Sequence, residues 1–372
     1  MKRPVILRDT TLREGVQIPG VNLCHADRQR FVALLDELGV PEIEIGLPDG
    51  VNACADLSRF IRDRGLRIQP SGLVPCYSAR WRPQIDLAAD CGLGVDVLVP
   101  TSDFLLRDAN HYRMTAKEIL PRLTEVIAYA QQRGVPAGAA LMDACRAPRE
   151  RLLDIVSQLR AARMVIYDSV GTMLPWRMWA LIHEVRQATK IPILVHCHND
   201  HGMATANTLA ALDAGAVAAD VAVNGLGGRA GNAALEEVVM ALEQLCERST
   251  GINTRRLREL SAFVEKMTGI ANSPLKPIVG RYGFAHAPVM HVRCIAGGNP
   301  EAFEPFDPQR VGAERTYGFS LPVDYAGALE PFLQKSGVTL SAEQVQKLLD
   351  TLRSRPDWSE AQVLELIHEI HG

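Results

Sequence analysis

From residue 5 to about residue 225 the chain repeats one pattern eight times: a short apolar run, then a stretch whose apolar residues recur at helical spacing. The apolar runs fall at 5–11, 42–47, 67–74, 95–101, 136–142, 164–169, 191–198 and 218–224. Between them, Phe31, Leu34, Leu35 and Leu38 stand at i, i+3, i+4 and i+7, and Leu152, Leu153, Ile155, Val156 and Leu159 form a similar stripe. Strands that are largely apolar, each followed by a helix, imply a parallel sheet covered by helices. Eight such units over roughly 240 residues are what a closed (β/α)8 barrel of the TIM type requires. A doubly wound open sheet would carry a glycine-rich phosphate loop after its first strand, and Thr10-Thr11-Leu12-Arg13-Glu14-Gly15 is not one. Past residue 250 the texture changes. Residues 273–323 are rich in Pro, Gly and aromatics, and helical patterning returns over 324–372, as in Val345, Leu348, Leu349 and Leu352. The expected organisation is a TIM-barrel domain over 1–265 and a small mixed or helical C-terminal appendage over 266–372.

With 372 residues and 47% hydrophobic composition the chain can bury a sizeable core. A formal net charge of -3 gives no electrostatic case for nucleic acid or an anionic membrane, so a small diffusible substrate is the expected partner. The eight cysteines are scattered without a C-x-x-C pair, which fits reduced thiols in the cytoplasm. No apolar run has the length of a membrane span, and the N-terminus leads straight into a strand, so an unprocessed soluble protein is expected.

Chemistry in such a barrel collects at the C-terminal ends of the strands, and the unusual polar residues stand there. They are Arg13 and Glu14 after the first strand, Glu44 in the second, Ser102 and Asp103 after the fourth, Asp143 and Arg146 after the fifth, Asp168 and Ser169 ending the sixth, and Asn224 ending the eighth. The seventh run ends in Leu194-Val195-His196-Cys197-His198-Asn199-Asp200-His201-Gly202. Because strand side chains alternate, His196 and His198 point to one side and Cys197 to the other. Two imidazoles so placed are either hydrogen-bonded histidines or ligands to one divalent ion. A carboxylate would complete a 2-His-1-carboxylate site with positions open for substrate. Glu14 is best placed to supply it, since only the eighth strand separates the seventh from the first. That donor set suits Mg²⁺, Mn²⁺, Fe²⁺, Co²⁺ or Zn²⁺. Arg13 is either an electrophile for a carbonyl oxygen becoming an alkoxide or one half of a rim salt bridge with Asp9 or Asp168. Glu44 either orients Arg13 or forms a structural ion pair.

Three ordered motifs, Asp9-Thr-Thr-Leu-Arg-Glu-Gly-Val-Gln17, His196-Cys-His-Asn-Asp-His-Gly202 with Ala204-Thr-Ala-Asn207, and Asn224-Gly-Leu-Gly-Gly-Arg-Ala-Gly-Asn232, closely resemble the Claisen-condensing metalloenzymes. These are the homocitrate, 2-isopropylmalate and citramalate synthases. The resemblance continues through Pro277-Ile-Val-Gly280, Phe284-Ala-His286, His291 and Phe303-Glu-Pro-Phe-Asp-Pro-Gln-Arg-Val-Gly312, covering about the first 320 residues. It implies condensation of an acyl-CoA, usually acetyl-CoA, with a 2-oxo acid, then thioester hydrolysis. It further implies Glu14, His196 and His198 as metal ligands, with Asn232 as an outer or occasional fourth. Arg13 would stabilise the alkoxide, Ser169 would replace a threonine that holds the oxo acid's carboxylate, and Gln17 would line the same pocket. The proton-transfer base would be His291, with His286 as a possible partner, supplied by the neighbouring subunit of an obligate homodimer. From the residues alone, both are ordinary loop histidines.

Several positions depart from that pattern. The usual Gly-Glu-Arg reads Gly227-Gly228-Arg229, Met142 stands where many relatives have glutamate, Val289-Met290-His291 replaces Gly-Ile-His, and a Gly-Lys-His-Ser-Gly-like segment shrinks to Tyr317-Gly318-Phe319-Ser320. Homocitrate synthases hold a distal carboxylate with a histidine after strand 3 and an arginine after strand 4. Leu73 stands at the first position, and Arg107 is displaced by one residue from the second. These changes disfavour 2-oxoglutarate unless Arg107 or Arg146 compensates. Leucine-regulated isopropylmalate synthases continue into a regulatory domain, which this chain is expected to lack. The alternatives are a C–C lyase of the hydroxymethylglutaryl-CoA lyase type, whose motif also reads Gly-Leu-Gly-Gly, and a non-catalytic homologue that binds an oxo acid.

Overall fold

The computed structural model describes residues 5–49, 54–318, 326–354 and 358–372. All eight expected strands form: β1 (Ile6–Asp9), β2 (Glu42–Glu44), β3 (Gln69–Pro75), β4 (Gly94–Pro100), β5 (Ala137–Met142), β6 (Met164–Asp168), β7 (Ile193–Cys197) and β8 (Ala218–Val221). They pair in chain order into a closed parallel barrel, with β8 joined to β1 through Ile6 opposite Ala218 and Asp9 opposite Val221. Most strand residues are apolar on both faces because one face fills the barrel and the other lies under the helices. β6 and β7 are accordingly buried at every residue.

Helical spacing translates directly into packing. The helix His25–Leu38 buries Phe31, Val32, Leu34, Leu35 and Leu38, and Gly39 ends it in the left-handed conformation. The helix Arg149–Gln158 buries Leu152, Ile155 and Val156, leaving Leu153 half-buried. The helix that follows β8 runs over Leu235–Gln244. Ahead of it, Gly231, at φ 89°, sits where a side chain would run into the carbonyl of Gly225, so that stretch is a tight loop rather than helix.

The chain divides into two compact units. One comprises Met1–Thr254 with Glu259–Ala271, and the other Arg255–Arg258 with Asn272–Gly372. The helix Leu257–Thr268 thus falls mostly in the first unit. The second unit holds the short parallel pair β9 (Ala285–His286) and β10 (Thr316–Tyr317), with helices Val289–Ala296, Glu330–Ser336, Ala342–Arg353 and Glu360–His371. Its own core joins Leu329, Phe332, Leu348, Leu349, Leu352, Val363 and Ile367. Ser341 with Gln344, and Ser359 with Gln362, form reciprocal capping boxes that start the last two helices. Phe319 and Ser320 lie outside the described residues. Among the described residues no helix is long and apolar enough to cross a membrane, and all eight cysteines are free.

Phe332 is the largest fully buried side chain of the second core. Phe332→Ala is expected to cost this unit about 3–5 kcal/mol, read as an earlier urea transition, because the cavity adds to the lost transfer energy.

Candidate active site

The first motif is a turn that aims two charges over the barrel mouth. Asp9 ends β1 and accepts from the backbone N–H of Thr11 (2.9 Å) and its hydroxyl (2.8 Å). The Thr10 carbonyl then accepts from the N–H groups of Arg13 (3.0 Å) and Glu14 (2.8 Å), closing a helical turn. A side chain at Gly15 would stand 2.5 Å from the Thr11 carbonyl, so the turn closes only with glycine there. Arg13 and Glu14 emerge 7% and 4% exposed. Arg13 donates to Glu14, through Nε to Glu44 Oε2 at 2.5 Å, and approaches the Tyr167 hydroxyl at 3.4 Å. Neither Asp9 nor Asp168 pairs with it. Asp168 accepts instead from the N–H groups of Thr172 (2.9 Å) and Met173 (3.1 Å). Burial opposes the charge on Arg13, but Glu44 and Glu14 outweigh it and hold the guanidinium ionised.

β7 supplies the other half. His196 and His198 are 1% and 6% exposed, with ring centroids 5.0 Å apart. Cys197 alternates to the other side of the strand, and burial pushes its thiol up to about 12. Glu14, His196 and His198 each offer a donor atom, all within 4.8 Å of one another. His198 Nε2 stands 3.6 Å from Glu14 Oε1. That is too long for a good hydrogen bond, but near the roughly 3–3.5 Å that separates two ligands bound at about 2.0–2.2 Å to one ion. His196 Nε2 is buried without a hydrogen-bond partner. Burial, then His196, push the His198 imidazole down to about 3, so it presents a lone pair at neutral pH. Burial also works against the charge of Glu14, yet Arg13 and the two imidazoles keep its carboxyl below the usual range. The donor set therefore fits a divalent cation. Asn232 is buried and pairs with His198 through an isolated backbone bridge, and both polar atoms of its side chain lack partners.

The remaining candidates are placed as follows. A side chain at Gly228 would stand 3.6 Å from Glu14 Oε1 and 3.7 Å from Gln17 Oε1, so the position that lost its carboxylate overlooks the cluster, with Gln17 exposed beside it. The Ser169 hydroxyl accepts from the Asp143 N–H at 2.9 Å. Arg146 is tied to Asp143 by bonds of 2.7–3.1 Å and lies over the Phe104 ring at 4.5 Å. Arg107 is exposed and faces the same ring at 5.2 Å. Among the described residues, nothing links these two arginines to the Glu14–His196–His198 cluster. Leu73 is buried in an apolar cluster with Leu98 and Tyr167, against which Met142 packs. Asn224 is anchored away from the cluster: its side chain donates to the Ser261 carbonyl (3.1 Å) and accepts from the Ser261 hydroxyl (2.6 Å).

The family model described as HMGL-like matches residues 4–264. The chain belongs to the HMGL-like family. It is 38% identical to a probable 2-isopropylmalate synthase of Methanopyrus kandleri, over 94% of this chain and 69% of that one. It is 36% identical to a homocitrate synthase of the same organism, over 95% of this chain and 88% of that one. Among solved structures, an HMG-CoA lyase from Bacillus subtilis superposes with a TM-score of 0.64 at 22% identity, covering 74% of this chain and 97% of that one. At that identity the likeness shows the shared barrel.

Beyond the HMGL-like match, the second unit carries its own polar group. His286 Nε2 meets Glu304 Oε1 at 3.0 Å, and Arg315 grips both oxygens of Glu304 at 2.7 and 2.6 Å. His291 stacks on Phe303 with ring centroids 3.8 Å apart and lies 5.9 Å from the His286 ring. His286 also lines a cavity of about 1040 Å³ with Arg258, Arg281, Tyr282 and Trp358.

Sequence reasoning missed Arg8, Asp96, Tyr167 and Asp220, all buried in the barrel. Tyr167 stacks on His196 at 4.4 Å and 25°. A signal was present: Arg8 in the first apolar run and Asp220 in the eighth are opposite charges on strands that a closed barrel must make neighbours.

Burial opposes the charge on Glu304, but hydrogen bonds from Arg315 and His286 hold its carboxyl below the ordinary range. A depressed folded-state pKa contributes stability above the unfolded value of about 4.3, and that stability is lost as pH falls through the folded value. The urea midpoint of the native chain is therefore expected to exceed that of Glu304→Gln near neutral pH, and the gap to close progressively below about pH 4.

Proposed function

We propose that this chain condenses an acyl-CoA, acetyl-CoA in the simplest case, with a 2-oxo acid and hydrolyses the resulting thioester to a 2-hydroxy diacid and CoA. The observation that carries this reading is the Glu14–His196–His198 cluster beside a buried Arg13, in a chain 38% identical to a synthase of this kind. Glu14, His196 and His198 would hold a divalent ion (Mg²⁺, Mn²⁺, Zn²⁺, Co²⁺ or Fe²⁺), with Asn232 as an outer or fourth donor. When bound, that ion supplies Lewis-acid polarisation of the oxo acid's keto group.

The residues divide the remaining work. Arg13 spends Nε on Glu44 and Nη1 on Glu14, which leaves Nη2, only 3.4 Å from the Tyr167 hydroxyl, to donate to the oxygen that gains charge as the new C–C bond forms. Glu44 fixes the plane of the guanidinium. The Ser169 hydroxyl accepts from the Asp143 N–H and keeps its own proton to donate to the oxo acid's carboxylate, with Gln17 at the same rim. Removal of the acetyl proton is assigned to His291, assisted by His286, from the 266–372 unit of a partner subunit. That unit then serves as lid and dimerisation subdomain of a cytoplasmic homodimer.

The acceptor we favour is an oxo acid with an apolar side chain. Leu73, Met142 and Tyr167 supply apolar surface, and Arg146 is already neutralised by Asp143. A buried distal carboxylate without a cation would cost on the order of several kcal/mol. Arg107 would line the rim. Cleavage of hydroxymethylglutaryl-CoA is the lesser reading, supported by Gly227-Gly228 alone.

The test is release of CoA thiol from acetyl-CoA with Mn²⁺ present, across pyruvate, 2-oxobutyrate, 3-methyl-2-oxobutanoate and 2-oxoglutarate. Turnover is expected with one of the first three. No turnover with any of the four would overturn the activity, and a preference for 2-oxoglutarate would overturn the apolar pocket. Glu14→Gln and His196→Ala are expected to abolish the rise in Tm that Mn²⁺ gives the native chain, about 2.7 kcal/mol at one hundred times Kd. His291→Ala should lower kcat by about 10²–10⁴-fold while leaving oxo acid binding intact. Mixing His291→Ala with Glu14→Gln should restore activity through hybrid dimers, and no recovery would move the base into the same subunit.

A further inference from the structure

Inside the barrel, directly beneath the candidate metal ligands, β1 and β8 place Arg8 opposite Asp220. The two are 0% and 2% exposed. Arg8 donates through Nε to Asp220 Oδ1 at 2.7 Å and through Nη2 to Oδ2 at 3.0 Å, so it grips both oxygens. Asp220 Oδ2 also lies 2.9 Å from His196 Nδ1. On its other side Arg8 meets Asp96, which in turn receives Arg163 at 3.0 Å on each oxygen. This leaves neither Arg8 nor Asp220 free to turn.

An ionised carboxylate only accepts hydrogen bonds, so the atom facing it at 2.9 Å must be a donor. The two-point grip of Arg8, one N–H on each oxygen, is the geometry of an ionised carboxylate, and it leaves Asp220 Oδ2 turned to His196 as an acceptor. A neutral His196 must then carry its proton on Nδ1, which leaves the lone pair on Nε2, the atom that is buried without a partner. Tyr167 holds the face of the same ring by stacking. One contact fixes the edge of the imidazole and the other fixes its plane.

We propose that Asp220, backed by Arg8, is a positioning residue that locks His196 in its Nδ1–H tautomer and leaves Nε2 as the donor offered to the Glu14–His196–His198 cluster. The proposal rests on reading His196 as a metal ligand. Outer carboxylates of this kind typically change metal affinity by about 10–100-fold. A purely structural Arg8–Asp220 pair would affect folding and leave both the tautomer and the affinity unchanged.

The experiment uses the full chain, freed of metal and labelled with ¹⁵N-histidine. Long-range ¹H–¹⁵N spectra, with the His196 signal identified by its loss in His196→Gln, are expected to show the Nδ1–H tautomer in the native protein. An Nε2–H tautomer would overturn the proposal without need of any variant. Asp220→Asn, nearly isosteric, is expected to release the lock to a mixture of tautomers and to weaken Mn²⁺ binding, measured by chelator competition, by about 10–100-fold. A variant that keeps the native tautomer and binds Mn²⁺ within twofold of the native chain would overturn it as well. Failure of the ligand reading has a separate signature: the native chain would take up no Mn²⁺, and the tautomer spectra would still decide the role of Asp220.

Discussion

Two guanidinium groups buried in the barrel, each set between two carboxylates, are what the rest of the structure accommodates. Arg13 lies between Glu14 and Glu44, and Arg8 between Asp220 and Asp96. Buried ion pairs contribute little to stability once desolvation is counted, and losing one partner strands a charge. Their effect here is geometric. Each carboxylate has a single place to stand, and in both groups one carboxylate also faces a histidine: Glu14 faces His198, just past β7, and Asp220 faces His196. In the Arg13 group two carboxylates face one guanidinium, which leaves negative charge beside the two imidazoles.

The closed barrel is what allows four separate pieces of chain to cooperate. β7 and the residue just past it contribute His196 and His198, the turn after β1 contributes Glu14 and Arg13, β2 contributes Glu44, and β8 contributes Asp220. Only β8 separates the first two in space, although they lie about 180 residues apart in the chain. Turn chemistry sets the fine placement: the Asp9 carboxylate and Gly15 close the β1 turn, while the left-handed Gly231 shapes the loop that carries Asn232.

Two sets of departures from the resembled synthases lie near the cluster or the Tyr167 ring stacked on it. Gly228 opens space beside Glu14 and Gln17, so no second carboxylate competes with Glu14 there. Met142 and Leu73 make the wall near Tyr167 apolar, whereas Arg146 is occupied by Asp143. Both changes replace polar or charged side chains of the resembled pattern while leaving Arg13 and the two histidines in place.

The sequence by itself determined the barrel, the helices that cover it, and the identity of Glu14, His196, His198 and Arg13 as one group. Periodicity and strand alternation are local properties, and eight repeats of one unit leave a single way to close. It also left Arg13 and Glu44 with two readings each, and it passed over Arg8, Tyr167 and Asp220 as ordinary strand residues. Only the tertiary structure decided those. Which carboxylate a buried guanidinium meets, and which nitrogen of a histidine is left without a partner, depend on the register between strands far apart in the chain, and no local pattern records that register.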